Sequence, residues 1–180
     1  LDWKKGSKMP KYRNSRTSII FDKSSHLYNI HIAKKNRNRR LDVFEGFGSV
    51  LSCLAQEHSS CAATCGTSFT DKQVDLIIQL GFKHINIVAD PDEKGVEAAY
   101  KHMENLQGRE NLKVTLTLME GEDDADTFVI DNGLEAFLKL PFISAFEFFL
   151  DKEAELSKKS GGDKMEFANR MIQMIINTAS

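Results

Sequence analysis

The sequence predicts an α/β domain, a parallel sheet flanked by helices. Three observations carry that expectation. Four short apolar runs, Leu41 to Phe44, Ser60 to Thr64, Ile85 to Ala89 and Lys113 to Leu118, have the length and composition of strands. Between them lie stretches of about ten or more residues whose apolar positions recur at helical spacing. Turn-forming or acidic residues follow three of the runs at once: Glu45-Gly46, Gly66-Thr67-Ser68 and Asp90-Pro91-Asp92. Strands alternating with helices make βαβ units with parallel strands and right-handed crossovers, so all four carboxyl ends open on one edge. Ligands of open α/β sheets bind beyond that edge.

In chain order, residues 1–18 are polar and basic, broken by Gly6 and Pro10, and read as an extended arm. Ser18 to Asp22 reads as a short strand, and Ser24 or Ser25 as the cap of a helix through Leu27, Ile30 and about Ala33. The cationic loop KKNRNRR follows. After the strand Leu41 to Phe44, Gly48 opens a helix with Val50, Leu51, Leu54 and Ala55 on its apolar face. The strand Ser60 to Thr64 leads through the Gly66-Thr67-Ser68 turn to a helix capped by Thr70 or Asp71. Its apolar positions are Val74, Ile77, Ile78 and Leu80, and Gly81 ends it. The strand Ile85 to Ala89 gives way at Asp90-Pro91-Asp92 to a helix carrying Val96, Ala99, Tyr100 and Met103. Beyond the last strand, Asp126 to Asn132 and Leu134 to Leu140 read as short helices split by Gly133. Pro141 marks a boundary, and two amphipathic helices, about 144–159 and 163–178, form a hairpin hinged at Gly161-Gly162. That hairpin either packs on the body or begins a bundle. The expected organisation is a basic arm (1–39), the α/β body (40–140) and a helical tail (141–180).

Bulk properties narrow the function. A chain of 180 residues is long enough for one domain with a real core. No apolar run approaches the roughly 18 residues of a membrane span and no signal peptide is visible, so a cytoplasmic protein with no membrane partner is expected. The chain opens on Leu1 and ends inside a helical pattern, which reads as an excised segment. Cys53, Cys61 and Cys65 lie in apolar segments without a CxxC pair, as packing residues and not as zinc ligands or a disulfide framework. The net charge of -2 conceals an asymmetry: twelve Lys and Arg against two acids in residues 1–40, and twelve against twenty-four in the remainder. A basic arm beside an acidic body suits a polyanion that meets protein cations on one side and bound metal on the other.

The predicted topology turns scattered acids into a rim. Glu45 follows one strand, Asp90 and Asp92 another, and the run Glu120 to Asp126 a third. Carboxylates from three loops without histidine or cysteine form an all-oxygen set suited to Mg²⁺ or Mn²⁺. Such ions activate an attacking oxygen and stabilise a leaving one in phosphoryl chemistry, which implies a nucleotide or nucleic-acid substrate. Each acid also has a plainer reading: Asp92 as a helix cap, Glu45 at a solvated strand end, Glu120 to Asp126 as an acidic loop. Gly66, Thr67 and Ser68 offer backbone N–H groups and hydroxyls at a helix start, either for an anion or as an ordinary entry.

These residues in this order resemble the TOPRIM domain of bacterial-type primases, topoisomerases and some nucleases. VFEG supplies the glutamate and Asp90-Pro91-Asp92 the Asp-x-Asp pair. The DnaG-type primase branch is closest, through KYRNS at Lys11 to Ser15, Lys23 followed by Leu27-Tyr28, EGFGSV, GTS and GEDDADT, over about Met9 to Leu140. The resemblance implies Glu45, Asp90 and Asp92 as catalytic metal-site carboxylates. Asp124 and Asp126 become the later acidic pair, with Ala125 where the family has proline and Asp123 as an alternative register. Lys11, Tyr12, Asn14 and Lys23 match a basic motif that lies beside the metals and is expected to bind nucleotide or primer phosphate, and Gly66 and Thr67 are also expected to bind nucleotide or nucleic acid. Ser49 stands where the family commonly has another aspartate, which bears on metal number. The implied reaction is synthesis of a short RNA primer for DNA replication on a single-stranded DNA template. A 3′-hydroxyl attacks the α-phosphate of a ribonucleoside triphosphate and pyrophosphate leaves. The family's zinc module, its upstream polymerase subdomain and its contacts to the replicative helicase are not recognisable here. Cofactors are therefore expected to be Mg²⁺ or Mn²⁺ without zinc, in a bacterial, phage or mobile-element setting. A TOPRIM nuclease or topoisomerase-like phosphotransferase, or a non-catalytic nucleic-acid binder, are the alternatives.

Overall fold

A computed structural model of the chain describes residues 15, 16, 18, 19, 21–36, 40–64, 69–106, 109, 111–119, 121 and 124–160, with five further positions between Met165 and Gln173. Its sheet has the order β2-β1-β3-β4-β5, from β1 (Leu41–Phe44), β2 (Cys61–Ala63), β3 (His84–Ala89), β4 (Lys113–Leu118) and β5 (Ile143–Ser144). The first four strands are parallel, with Val43 opposite Ile87 and Ile87 opposite Leu116, as the alternation of strands and helices requires. The helices are α1 (Ile30–Ala33), α2 (Phe47–Ala55), α3 (Asp71–Gln79), α4 (Glu93–Leu106), α5 (Ala125–Asn132), α6 (Leu134–Leu138) and α7 (Ala145–Ser160).

Both faces of the sheet are covered, so its strands read as apolar on both sides. On one face Leu41, Val43, Ile85, Ile87 and Leu116 pack with Val74 and Ile77 of α3 and with Ala99 and Met103 of α4. On the other, Phe44, Val88 and Cys61 pack with Val50 and Cys53 of α2, Val129 of α5 and Phe137 of α6. Cys53 and Cys61 are both buried packing residues, and a hydrogen bond with Cys61, followed by burial, pushes the Cys53 thiol pKa up. Thr70 caps α3 in a reciprocal box with Gln73, and Gly81, at φ 86°, ends that segment. Gln73 is buried and its amide also donates to the carbonyls of Lys23 (3.0 Å) and His26 (2.9 Å), which fastens the incoming chain to α3.

Several expectations change. Ser18 to Asp22 is not a strand: Ser18 and Phe21 exchange backbone hydrogen bonds across a tight turn. No helix starts at Ser24 or Ser25, because Ser24 donates through its amide and hydroxyl to Asp22. Leu27-Tyr28 runs extended instead, Tyr28 pairing with Ala63, and α1 begins only after Asn29, which is left-handed at φ 64°. Leu51 and Ile78, expected to face the core, are 49% and 38% exposed. Past Pro141, Ile143–Ser144 adds a fifth, antiparallel strand to β4. The first tail helix then packs on the body: Phe148 and Phe149 of α7 enter the larger core. Each such buried aromatic contributes about 1.5–3 kcal/mol.

Candidate metal centre at the strand ends

Parallel pairing carries the acids to one edge. Glu45 follows β1, Asp90 and Asp92 follow β3, and Asp124 stands beyond β4 at the start of α5. Asp90 is the shared member. With Glu45 it lines a narrow cleft between Phe44 and the first turns of α4, and with Pro91, Asp92, Gly121 and Asp124 it lines an open cleft of about 380 Å³. Two of the acids also hold their helices. Asp92 accepts from the Gly95 amide at 2.6 Å, and Asp124 accepts from the Thr127 amide at 2.8 Å as the N-cap of α5. The plainer reading of Asp92 as a cap and its reading as a rim carboxylate are therefore compatible, since a carboxylate has a second oxygen to offer.

The electrostatics follow from this crowding. Partial burial, then the charges of Asp124, Glu45 and Asp92, raise the Asp90 carboxyl from 3.8 to about 6. Among the described residues no three of the candidate ligands already converge on one point. Chemically the set fits a hard divalent cation: every donor is a carboxylate oxygen, and the mutual repulsion that raises Asp90 is relieved by positive charge.

Asp126 is placed differently. It accepts a hydrogen bond from the Ser52 hydroxyl on α2, and a Cβ on Gly48 would come within 2.7 Å of its other oxygen. Gly48 is thus the residue that lets α5 approach α2. Ser49, in the position noted for its missing carboxylate, is buried on the same helix. Lys23 lies in a turn over the start of α3, its carbonyl held by Gln73. Lys11, Tyr12, Asn14, Gly66 and Thr67 lie outside the described residues, as do Glu122 and Asp123.

Sequence reasoning passed over two features. Gly95, in the first turn of α4, has no room for a side chain: an added Cβ would stand 2.5 Å from the Asp90 carbonyl oxygen and 3.0 Å from its carbon. Alanine normally stabilises a helix relative to glycine, but here the sign reverses. Gly95→Ala is expected to cost about 1–3 kcal/mol by forcing backbone apart, measured by urea denaturation, and to weaken Mn²⁺ binding by displacing Asp90. The second feature is Asp42, a fully buried carboxylate in β1 bound by Arg40 at 2.8 Å, His58 at 3.0 Å and Asn86 at 2.8 Å. Its only sequence signal was an acid inside an apolar strand two residues after an arginine.

Comparison with known proteins gives a consistent result. A Toprim-like family model matches residues 43–129. A DNA primase of Enterococcus faecalis is 28% identical over 182 aligned residues, covering 97% of this chain and 29% of that protein. One from Listeria innocua is 32% identical over 133, covering 73% of this chain and 21% of that protein. The RNA polymerase domain of Mycobacterium tuberculosis primase superposes with a TM-score of 0.76 at 21% identity, covering 97% of this chain and 58% of that one. The chain spans less than a third of the length of the curated relatives it matches.

Proposed function

Because this chain belongs with the DnaG-type primases as a bearer of their TOPRIM domain, we propose that it is a catalytic-core segment of a DNA primase. That enzyme is a DNA-directed RNA polymerase that makes short RNA primers for replication by nucleotidyl transfer. The observation that carries the reading is the meeting of Glu45, Asp90, Asp92 and Asp124 around two clefts that share Asp90. The matched relatives are primases, which favours this branch over a nuclease or a topoisomerase. We read residues 1–39 as part of the upstream polymerase region, 40–140 as the TOPRIM unit and 141–180 as the start of a helical bundle. The setting is the cytoplasm of a bacterial host.

Glu45, Asp90, Asp92 and Asp124 would hold Mg²⁺ or Mn²⁺, with Asp126 as a fifth carboxylate whose other oxygen accepts from Ser52. A cation bound there supplies charge neutralisation for the triphosphate and for an in-line displacement at its α-phosphate. Asp92 and Asp124 keep their helix starts fixed, so the two loops present oxygens from a rigid base. Lys23, with Lys11, Tyr12 and Asn14 upstream, supplies phosphate contacts, and Gly66 and Thr67 supply backbone donors. Template DNA, ribonucleoside triphosphates and the nascent primer are the substrates, and a replicative helicase is reached through other regions of the enzyme.

The test uses the chain with a single-stranded template, ribonucleoside triphosphates and Mn²⁺. Cation binding is expected by calorimetry, with little primer on a sequencing gel. Absence of binding overturns the catalytic reading, and efficient dinucleotide synthesis overturns the view that the upstream region is required. Degradation of DNA or RNA without added nucleotide selects the nuclease.

A further inference from the structure

The KKNRNRR run is not used by the acidic rim, yet its last residue enters a distinct cluster. Arg40 directly precedes β1, Lys83 directly precedes β3, which His84 begins, and Lys113 begins β4, at the end of the sheet remote from the acids. Phe142 lies against Arg40, His84 and Lys113 and is 45% exposed. The Arg40 guanidinium stands 5.7 Å and the Lys113 ammonium 5.6 Å from the centre of its ring, and the His84 ring meets it edge-on at 6.1 Å. Lys83, just before β3, neighbours Lys113 at the start of β4, the Lys113 amide donating to the Lys83 carbonyl at 2.9 Å. Both are exposed, and neither makes an ion pair among the described residues. Arg40 is fixed by Asp42, whose charge is enclosed by Arg40, His58 and Asn86. Lys34 and Lys35, at the other end of the same run, are also exposed.

We propose that this cluster is a second binding surface, for single-stranded DNA, on which a base stacks against Phe142 while neighbouring phosphates meet Lys113 and Lys83. An aromatic ring open to solvent and bracketed by cations offers the two things a single strand presents in alternation, a π-face and a negative charge. Phe142 as mere cover for the sheet accounts for the buried side of the ring. It leaves the exposed side and the flanking lysines without a role. Six residues of β3, about 20 Å of strand, separate this cluster from the acids, so a strand held here leaves the metal edge accessible. The inference rests on the primase reading only for the identity of the strand.

The test is fluorescence anisotropy of a labelled oligo(dT) of about 20 nucleotides titrated with the chain. Phe142→Leu keeps apolar cover and removes the stacking face, and Lys113→Glu reverses a phosphate contact. The double variant is expected to bind about tenfold more weakly, with a salt slope lower by about one for the lost contact, while Lys101→Ala, on the exposed face of α4, binds as the parent does. Affinity of the double variant within twofold of the parent overturns the proposal. As a check independent of any variant's folding, an iododeoxyuridine oligonucleotide irradiated with the unaltered chain is expected to cross-link at Phe142. Cross-links only elsewhere overturn it, and tighter binding of oligo(rU) than of oligo(dT) overturns the choice of DNA. A chain that binds no Mn²⁺ but still cross-links at Phe142 contradicts the proposed function alone.

Discussion

Asp90→Asn is expected to weaken Mn²⁺ binding roughly a hundredfold, at the upper end of the 10- to 100-fold loss typical of outer-shell partners. Asp90 is the residue common to both clefts, and its replacement removes one anionic oxygen donor from each. The same variant should be more stable than the parent without metal. The folded state retains a proton on Asp90 up to about pH 6, whereas an ordinary carboxyl releases it near 3.8. Between those values the folded form binds more protons, so stability falls as pH rises and the full cost is present above about pH 6. The shift corresponds to about 3 kcal/mol at face value, and solvent screening of this half-buried group reduces it to about 1 kcal/mol. Asn removes that cost. The metal-free melting temperature should rise by about 2–4 °C at pH 8 and not at pH 4. Saturating Mn²⁺ should reverse the order, because cations bind the deprotonated form of the parent. Calorimetric titration and melting curves across pH measure both effects, and a parent stabilised by rising pH without metal would contradict the electrostatic account.

Asp42→Ala is expected to destabilise the fold by about 3–5 kcal/mol, the usual consequence of leaving a buried partner charge uncompensated. Arg40 would lose its carboxylate at 2.8 Å, and Asn86 an acceptor within a chain of bonds that continues to Thr115 and Thr117. Urea denaturation measures the change. Lys101→Ala serves as the comparison, because it breaks an exposed pair of similar length, 2.9 Å to Glu97, and should leave the midpoint unmoved. Equal effects from the two variants would show that burial does not set the scale here.

Local pattern made most of the sheet legible. Ile85 to Ala89 is a continuous apolar run because both sides of β3 are covered, and the acids beyond it share an edge because parallel pairing leaves no alternative. What escaped depends on partners distant in sequence or on very short segments. Ile143–Ser144 is only two residues long and has no period to detect. The Tyr28 to Ala63 pairing spans 35 positions, and no local signal prefers it over a helix begun at Ser24. Asp126 reads like Asp124 in sequence, yet α2 offers it Ser52 across 74 positions. Leu51 and Ile78 sit beside true core positions at helical spacing, where one residue of phase separates inside from outside.

The pairings at the two borders of the sheet have a consequence for crowded solutions. Tyr28 occupies the outer hydrogen-bonding groups of Ala63 on one side, and β5 occupies those of Thr115 and Leu116 on the other. Among the described residues, the borders are thus closed at Ala63 and at Thr115 and Leu116 to a strand added by another chain, the usual seed of fibrous aggregation. A unit sealed in this way can be spliced between unrelated neighbours without polymerising through its own margins.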